Sequence, residues 1–313
     1  LEFVFQGKMW LVTSDGVLRS SADGANWTTV TDSIPWKARH APGAAVFKNR
    51  MWILGGARTP SALNDVWSSA DGVNWTLETP AAPWPARQIF SMIAVHRDRL
   101  WIMGGGIQNY HPFKTFRDVW STADGKSWTK ATDEAPWGGR IWSSAAVYKD
   151  RLWVFGGFQA EPDWTNLNDL WYSADGADWR RLPTETVWSP RHEYSVYVFD
   201  GKLWVVAGNA WPLVNDAWVL EIKGLSFLTQ PVVEDFVGTE YVYRARADFN
   251  ASGKPVLYRL LEAPDWLAVD AASGVVRGTP ADAGEFRVAL EAFDDAGETA
   301  RQEYTLSILK IGS

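Results

Sequence analysis

The sequence predicts an all-β protein in two parts, a β-propeller of five recognisable blades followed by a small β-sandwich. Three observations predict it. Tryptophan occurs 21 times in 313 residues and recurs at fixed spacing. Asp-Gly steps separate short runs rich in strand-forming residues, a tight-hairpin pattern. That pattern then stops near residue 222, where the composition turns acidic. The expected domains are 1–224 and 225–313, and the length is enough for two proper cores.

The repeat justifies the first part. VFQGKMWLV at 4–12, VFKNRMWIL at 46–54, VHRDRLWIM at 95–103, VYKDRLWVF at 147–155 and VFDGKLWVV at 198–206 each read as two strands around a polar turn. NDVWSSADGVNW at 64–75, RDVWSTADGKSW at 117–128 and NDLWYSADGADW at 168–179 add a third and fourth strand; repeat one offers GVLRSSADGANW at 16–27, with Arg19 in place of the Trp. PWKAR, PWPAR, PWGGR and VWSPR close the units and end on Arg39, Arg87, Arg140 and Arg191. The third-strand Trp (or Arg19) precedes the fourth-strand Trp by 8 residues every time, the next Trp follows after 9, and the Arg after 3 more. Seventeen of the 21 Trp obey this grid. A side chain that recurs in register serves the register, so these Trp are expected to pack sheet on sheet.

Four strands in a period of about 50 residues resemble the kelch family. The Gly55-Gly56, Gly104-Gly105 and Gly156-Gly157 pairs at expected strand ends add to that resemblance, which covers about residues 1–222. The resemblance implies a propeller. The SADGxxW hairpin also resembles the Asp-box of sialidase-like propellers, shortened by one residue; there the turn is structural, so Asp23, Asp71, Asp124 and Asp175 are expected to bond only hairpin backbone. Repeat one enters midway through its first strand without a preceding PWxxR, and repeat five lacks the SADGxxW hairpin. Five blades follow if the ends pair to close the ring, and more if upstream blades are missing. The absence of an initiator Met leads us to expect a processed or trimmed piece of a longer chain.

The second part is read from TQPVVEDFVGTEYVYRARADF and the strand-like run after it. Pro264-Asp265-Trp266-Leu267, Ser273-Gly274, Gly278-Thr279-Pro280, Ala283-Gly284 and Asp294-Asp295-Ala296-Gly297 resemble, in order, the Putative Ig and dystroglycan-type cadherin-like families of exported bacterial proteins. The resemblance implies an Ig-like sandwich with Trp266 in its core, a role as spacer or assembly module, and calcium as the one cofactor to test. Asp235, Asp248, Asp294 and Asp295, with Glu234 beside them, could supply hard oxygen ligands, although their spacing matches no fixed calcium loop.

Several function classes are excluded. Net charge is −7; residues 226–313 carry 14 acidic and 8 basic side chains, while residues 1–225 are nearly balanced at 23 and 22. No basic stripe exists, so nucleic acid is not an expected partner. No apolar run approaches the roughly 18 residues that cross a bilayer. A kelch propeller with an Ig-like domain also resembles the galactose oxidase family, but there is no Cys for the Tyr–Cys crosslink that its copper cofactor needs.

Turns inside each repeat are short and constant, whereas the interval from second-strand to third-strand Trp varies: 9 residues (to Arg19), then 15, 19, 18 and 14. In a four-stranded meander that connection shares a face with the link to the next blade, so the variable face is expected to carry function. Trp142, Trp164 and Trp211 fall outside the grid and belong to this face, as do Tyr110, His111 and Phe113 in the longest connection. Aromatic faces stack on sugars and on cationic ligands. Arg39, Arg87, Arg140 and Arg191 enter the same rim; they could hold an acidic ligand or bond neighbouring carbonyls. Glu161, Asp163, Glu193 and Tyr194 are available as acids or bases, but no spacing demands catalysis, and no catalytic residue is assigned. The expectation is an extracellular or cell-surface binding or adhesion protein, without enzymatic activity, taking glycan or protein as ligand. The alternative is a glycan-active enzyme of sialidase-like or sugar-epimerase-like type around an Arg-lined funnel.

Overall fold

The computed structural model describes residues 1–13, 15–108, 113–160, 162–184 and 187–310, and every regular element among them is a β-strand. No helix among the described residues is long and apolar enough to cross a membrane. The chain divides into two compact units, Leu1–Leu220 and Glu221–Ser313.

The first unit holds five antiparallel meander sheets. Sheet 1 is Glu2–Phe5, Lys8–Val12, Leu18–Ser21 and Thr28–Thr31; sheet 2 is Gly43–Phe47, Arg50–Leu54, Val66–Ser69 and Trp75–Thr79. Sheet 3 is Ile93–His96, Arg99–Ile107, Lys114–Thr122 and Trp128–Thr132. Sheet 4 is Ser144–Tyr148, Arg151–Gln159, Thr165–Ser173 and Trp179–Arg181; sheet 5 has three strands, Ser195–Phe199, Lys202–Asn209 and Leu213–Leu220. The first strands of successive sheets pack against one another.

Local chemistry explains the hairpins. In the third-to-fourth turn of sheet 2, Asp71 Oδ1 accepts the N–H groups of Val73 and Asn74 at 2.8 and 2.7 Å, and Ser69 Oγ accepts that of Gly72 at 2.8 Å. The Asn74 side chain and backbone hold the Asp71 carboxyl down at about 2. Asp23, Asp124 and Asp175 bond their own turns in the same way. The first hairpin is closed by the second-strand indole: Nε1 of Trp10, Trp52, Trp101 and Trp153 donates to the last first-strand carbonyl at 3.0, 2.8, 3.1 and 2.9 Å.

The same indoles wedge beneath the next sheet. A Cβ placed on Gly72, Gly125 or Gly176 would lie 2.5, 2.0 or 2.2 Å from the ring of Trp10, Trp52 or Trp101. Trp36, Trp84 and Trp137 meet Trp75, Trp128 and Trp179 edge to face, with centroids 5.5 to 5.8 Å apart. Most of the tryptophan is architecture.

One expectation is corrected. The Gly-Gly pairs do not end the second strands of sheets 3 and 4, which run on through them with a register slip between Met103 and Gly105 and between Phe155 and Gly157. Gly105 adopts φ +95, and a Cβ there would sit 2.4 Å from the Gln88 carbonyl oxygen. The glycine bulge therefore lets the incoming connection bridge Gln88 to Gly106 alongside the strand. Several variable connections are thus extended hairpins rather than irregular loops.

The second unit pairs two sheets over one core. Glu234–Phe236, Thr299–Leu309, Gly284–Phe293 and Leu257–Glu262 form one sheet, in which the first pair is parallel. Tyr241–Arg244, Val275–Gly278 and Leu267–Val269 form the other, and Ser226–Phe227 pairs with Ala247–Asp248. Tyr241, Leu267, Val276, Val288, Leu290 and Leu306 fill the interior. Trp266 packs on this core from its margin, edge to face with Phe286 at 5.6 Å.

Candidate functional site

The four repeat arginine side chains are buried and paired with aspartates, of which Asp216 alone is substantially exposed. Arg39, Arg87 and Arg140 reach both carboxylate oxygens of Asp65, Asp118 and Asp169, at 2.6 and 3.1, 2.5 and 2.8, and 2.8 and 3.0 Å. Arg191 does the same with Asp216. Each also donates to a carbonyl in or just after the second strand, of Gly55, Gly104, Gly156 or Ala207, at 2.8 to 3.0 Å. The same aspartates accept the indole N–H of Trp67, Trp120, Trp171 and Trp218. Burial pushes the Asp118 carboxyl up, but the Arg87 guanidinium and the Trp120 indole N–H together leave it below its usual value. The expected ligand-facing role of these arginines gives way to a structural one: a guanidinium sealed against carboxylate and carbonyl has no free edge for a ligand.

Sequence reasoning missed these aspartates, yet a signal existed. Each repeat that follows an arginine carries an Asp two residues ahead of its third-strand Trp (Asp65, Asp118, Asp169 and Asp216).

The aromatic residues outside the grid behave differently, because the structure brings four of them together. Phe113 lies 5.7 Å from Trp142 and 5.2 Å from Trp164. Phe158, on the extended second strand of sheet 4, lies 5.3, 5.7 and 5.6 Å from Trp142, Trp164 and Trp211. His192 stacks on Trp142 at 4.9 Å and abuts Trp211 at 5.0 Å. Trp142 is steadied by a 2.9 Å bond from its Nε1 to Gln108 Oε1. Trp164 and Trp211, at the hairpin tips of sheets 4 and 5, remain 47% and 58% exposed over this base. Both hold φ +45, a backbone state that bulky residues rarely adopt. Tyr110 and His111 lie outside the described residues.

Phe158, Phe90 and His192 complete the cluster and were not expected there. Phe158 is visible in the sequence only once the Gly-Gly pair is read as a bulge and not as an end. His192 Nδ1 meets Asn166 Oδ1 at 2.7 Å, while the Asn166 amide donates to the Asn209 carbonyl. This orientation puts the proton of the neutral ring on Nδ1, and burial holds the His192 pKa below its usual value.

Beside the cluster opens a cavity of about 910 Å³. Leu1, Ala44, Ile93 and Ala145, from the first strands of sheets 1 to 4 or just before them, line it, together with link residues His40 and Phe90 and the hairpin residue Arg58. Phe90 joins the two features, with its ring 6.4 Å from Trp142. Links between sheets and the sheet 2 hairpin thus line one cavity.

Acid–base chemistry finds little support here. Asp163 and Glu193 are exposed, and Glu161 lies outside the described residues. Tyr194 is buried, and that burial drives its phenol far above the usual range. The candidate calcium ligands Asp235, Asp248 and Asp294 accept hydrogen bonds within the chain. Asp294 accepts bonds from Asn250, Ser252, Ala296 and Glu298 at 2.6 to 3.0 Å, which closes its own loop and ties it to the loop of Asn250 and Ser252. Asp235 and Asp248 each accept the following backbone N–H, at 2.8 and 2.7 Å. Among the described residues, Glu234, Asp235, Asp248, Asp294 and Asp295 form no metal-holding group of three or more.

Residues 227–309 match the family described as Putative Ig domain. The C-terminal part of this all-β chain is therefore Ig-like, as its ordered motifs implied. No curated protein matches the chain.

Proposed function

We propose that residues 1–220 are a kelch-like propeller arc whose hairpin-bearing mouth binds glycan, in a non-enzymatic adhesion protein of the cell surface or extracellular space. One observation carries this reading: Trp164 and Trp211 stand half-exposed on a base of buried Phe158 and His192 and partly buried Phe113 and Trp142. Half-exposed indoles suit the axial C–H groups of sugar rings. The commitment of all four repeat arginines to aspartates weighs against an acid-gripping catalytic funnel. The Ig-like unit fits the role of spacer or partner-binding module.

A glycan-array screen of the wild type, Trp164→Ala and Trp211→Ala tests it. The expected outcome is loss of the wild-type signal in both variants with thermal stability within about 0.5 kcal/mol, because neither ring fills a core. Equal binding by all three proteins refutes the aromatic platform.

A further inference from the structure

The aromatic platform is flanked by charge of one sign. Glu193 is tied to it through the backbone: its N–H donates to the Trp142 carbonyl at 3.0 Å, and the residue holds φ +53. The Glu193 side chain is 57% exposed, and its Oε2 lies 4.0 Å from Nε2 of His192, the ring that stacks on Trp142 and abuts Trp211. Burial holds the His192 pKa below its usual value, so at neutral pH this imidazole gives the carboxylate no counter-charge. Asp163 directly precedes Trp164 at the tip of the sheet 4 hairpin and is exposed as well. Among the described residues neither carboxylate pairs with a Lys or an Arg.

The cations that neighbour the platform in the chain are spent elsewhere. Arg140 and Arg191 close on Asp169 and Asp216. Lys114, next to Phe113, lays its ammonium over the Phe116 ring at 5.3 Å, and that ring also covers Arg87 at 4.0 Å. A carboxylated or sulfated sugar on the indoles would therefore meet like charge with no guanidinium to receive it. A cation meets the opposite situation, because an indole face and a carboxylate at its edge attract the same charge.

We infer that the platform binds an amine-bearing glycan of the β-linked glucosamine type, with ring faces on Trp164 and Trp211 and protonated amines beside Glu193 and Asp163. The inference rests on the glycan reading above and narrows it to one charge class. Glucosamine has its ring substituents equatorial, which leaves C–H faces for stacking and sets the amine at the ring edge, within reach of a flanking carboxylate.

Calorimetric titration with a chitosan oligosaccharide and the chitin oligosaccharide of equal length tests it, at a pH that charges the sugar amines. Acetylation removes the charge and keeps the ring faces. The wild type is expected to bind the chitosan form about tenfold more tightly, as two exposed ion pairs allow. Glu193→Gln and Asp163→Asn are each expected to weaken that form about threefold, and the double variant to lose the preference with its chitin affinity unchanged within about twofold. High salt should erase the preference in the wild type. Trp164→Ala is expected to lose both ligands. Equal wild-type affinities, or a preference that persists in the double variant or in high salt, overturn the amine assignment and leave the glycan reading standing. A wild type that binds neither oligosaccharide overturns the assignment too, and silence across the glycan array refutes the glycan reading with it.

Discussion

The repeat arginines show how a side chain's chemistry depends on what the fold places beside it. A guanidinium on an open rim grips anions, but Arg87, fully buried against Asp118, is an internal clamp between a link and the third strand. Removing one partner of such a pair leaves a buried charge without its counterion. Arg87→Met is therefore expected to cost about 3–5 kcal/mol in urea unfolding; a loss below about 1 kcal/mol would show that the pair is not sealed. His192 gives a pH dependence. Its folded pKa lies below the unfolded value of about 6.5. Its contribution to stability is then complete above the unfolded pKa and is lost as pH falls through the folded one. The near-UV dichroism of the Trp142 and Trp211 cluster should change over that acid interval, and His192→Asn should remove the transition. An unaltered profile in that variant assigns the titration elsewhere.

Among elements, the Asp-Gly hairpin does two jobs. Its carboxylate shapes the turn, and its glycine leaves room for the indole of the preceding sheet. The two jobs separate experimentally because Gly24 and Gly125 share φ near +76 but differ in surroundings. A Cβ on Gly125 meets the Trp52 ring at 2.0 Å, whereas one on Gly24 meets the flexible end of Met9 at 3.1 Å. Gly125→Ala is expected to destabilise by about 1–3 kcal/mol more than Gly24→Ala, the overpacking cost beyond the strain common to both. Equal losses in thermal unfolding would mean that the indole does not seat beneath the turn. The Gly-Gly bulge matters at this scale too, since it carries Phe158 onto the extended strand under the exposed tryptophans.

On the scale of the whole molecule, each unit has its own interior. The first is a series of inter-sheet cores, such as that of Trp52, Leu54, Trp84 and Leu100, so its stability grows with each added junction. The second is a single sandwich core around Tyr241, Val276 and Leu290.

The residue spacing by itself determined the strand pattern, the tight hairpins and the Ig-like motifs, because turns and sheet periodicity are local and repeat in register. It also singled out Phe113, Trp142, Trp164 and Trp211 as aromatics with no place in the repeat. Only the tertiary structure decided that these rings converge, that Phe158 and His192 underlie them, and that the arginines are spent on aspartates 25 to 31 residues downstream. The physical reason is range. A hydrogen-bonded turn is written in consecutive residues, whereas the partner of a charge or an indole is whichever group the folded chain brings within a few ångströms.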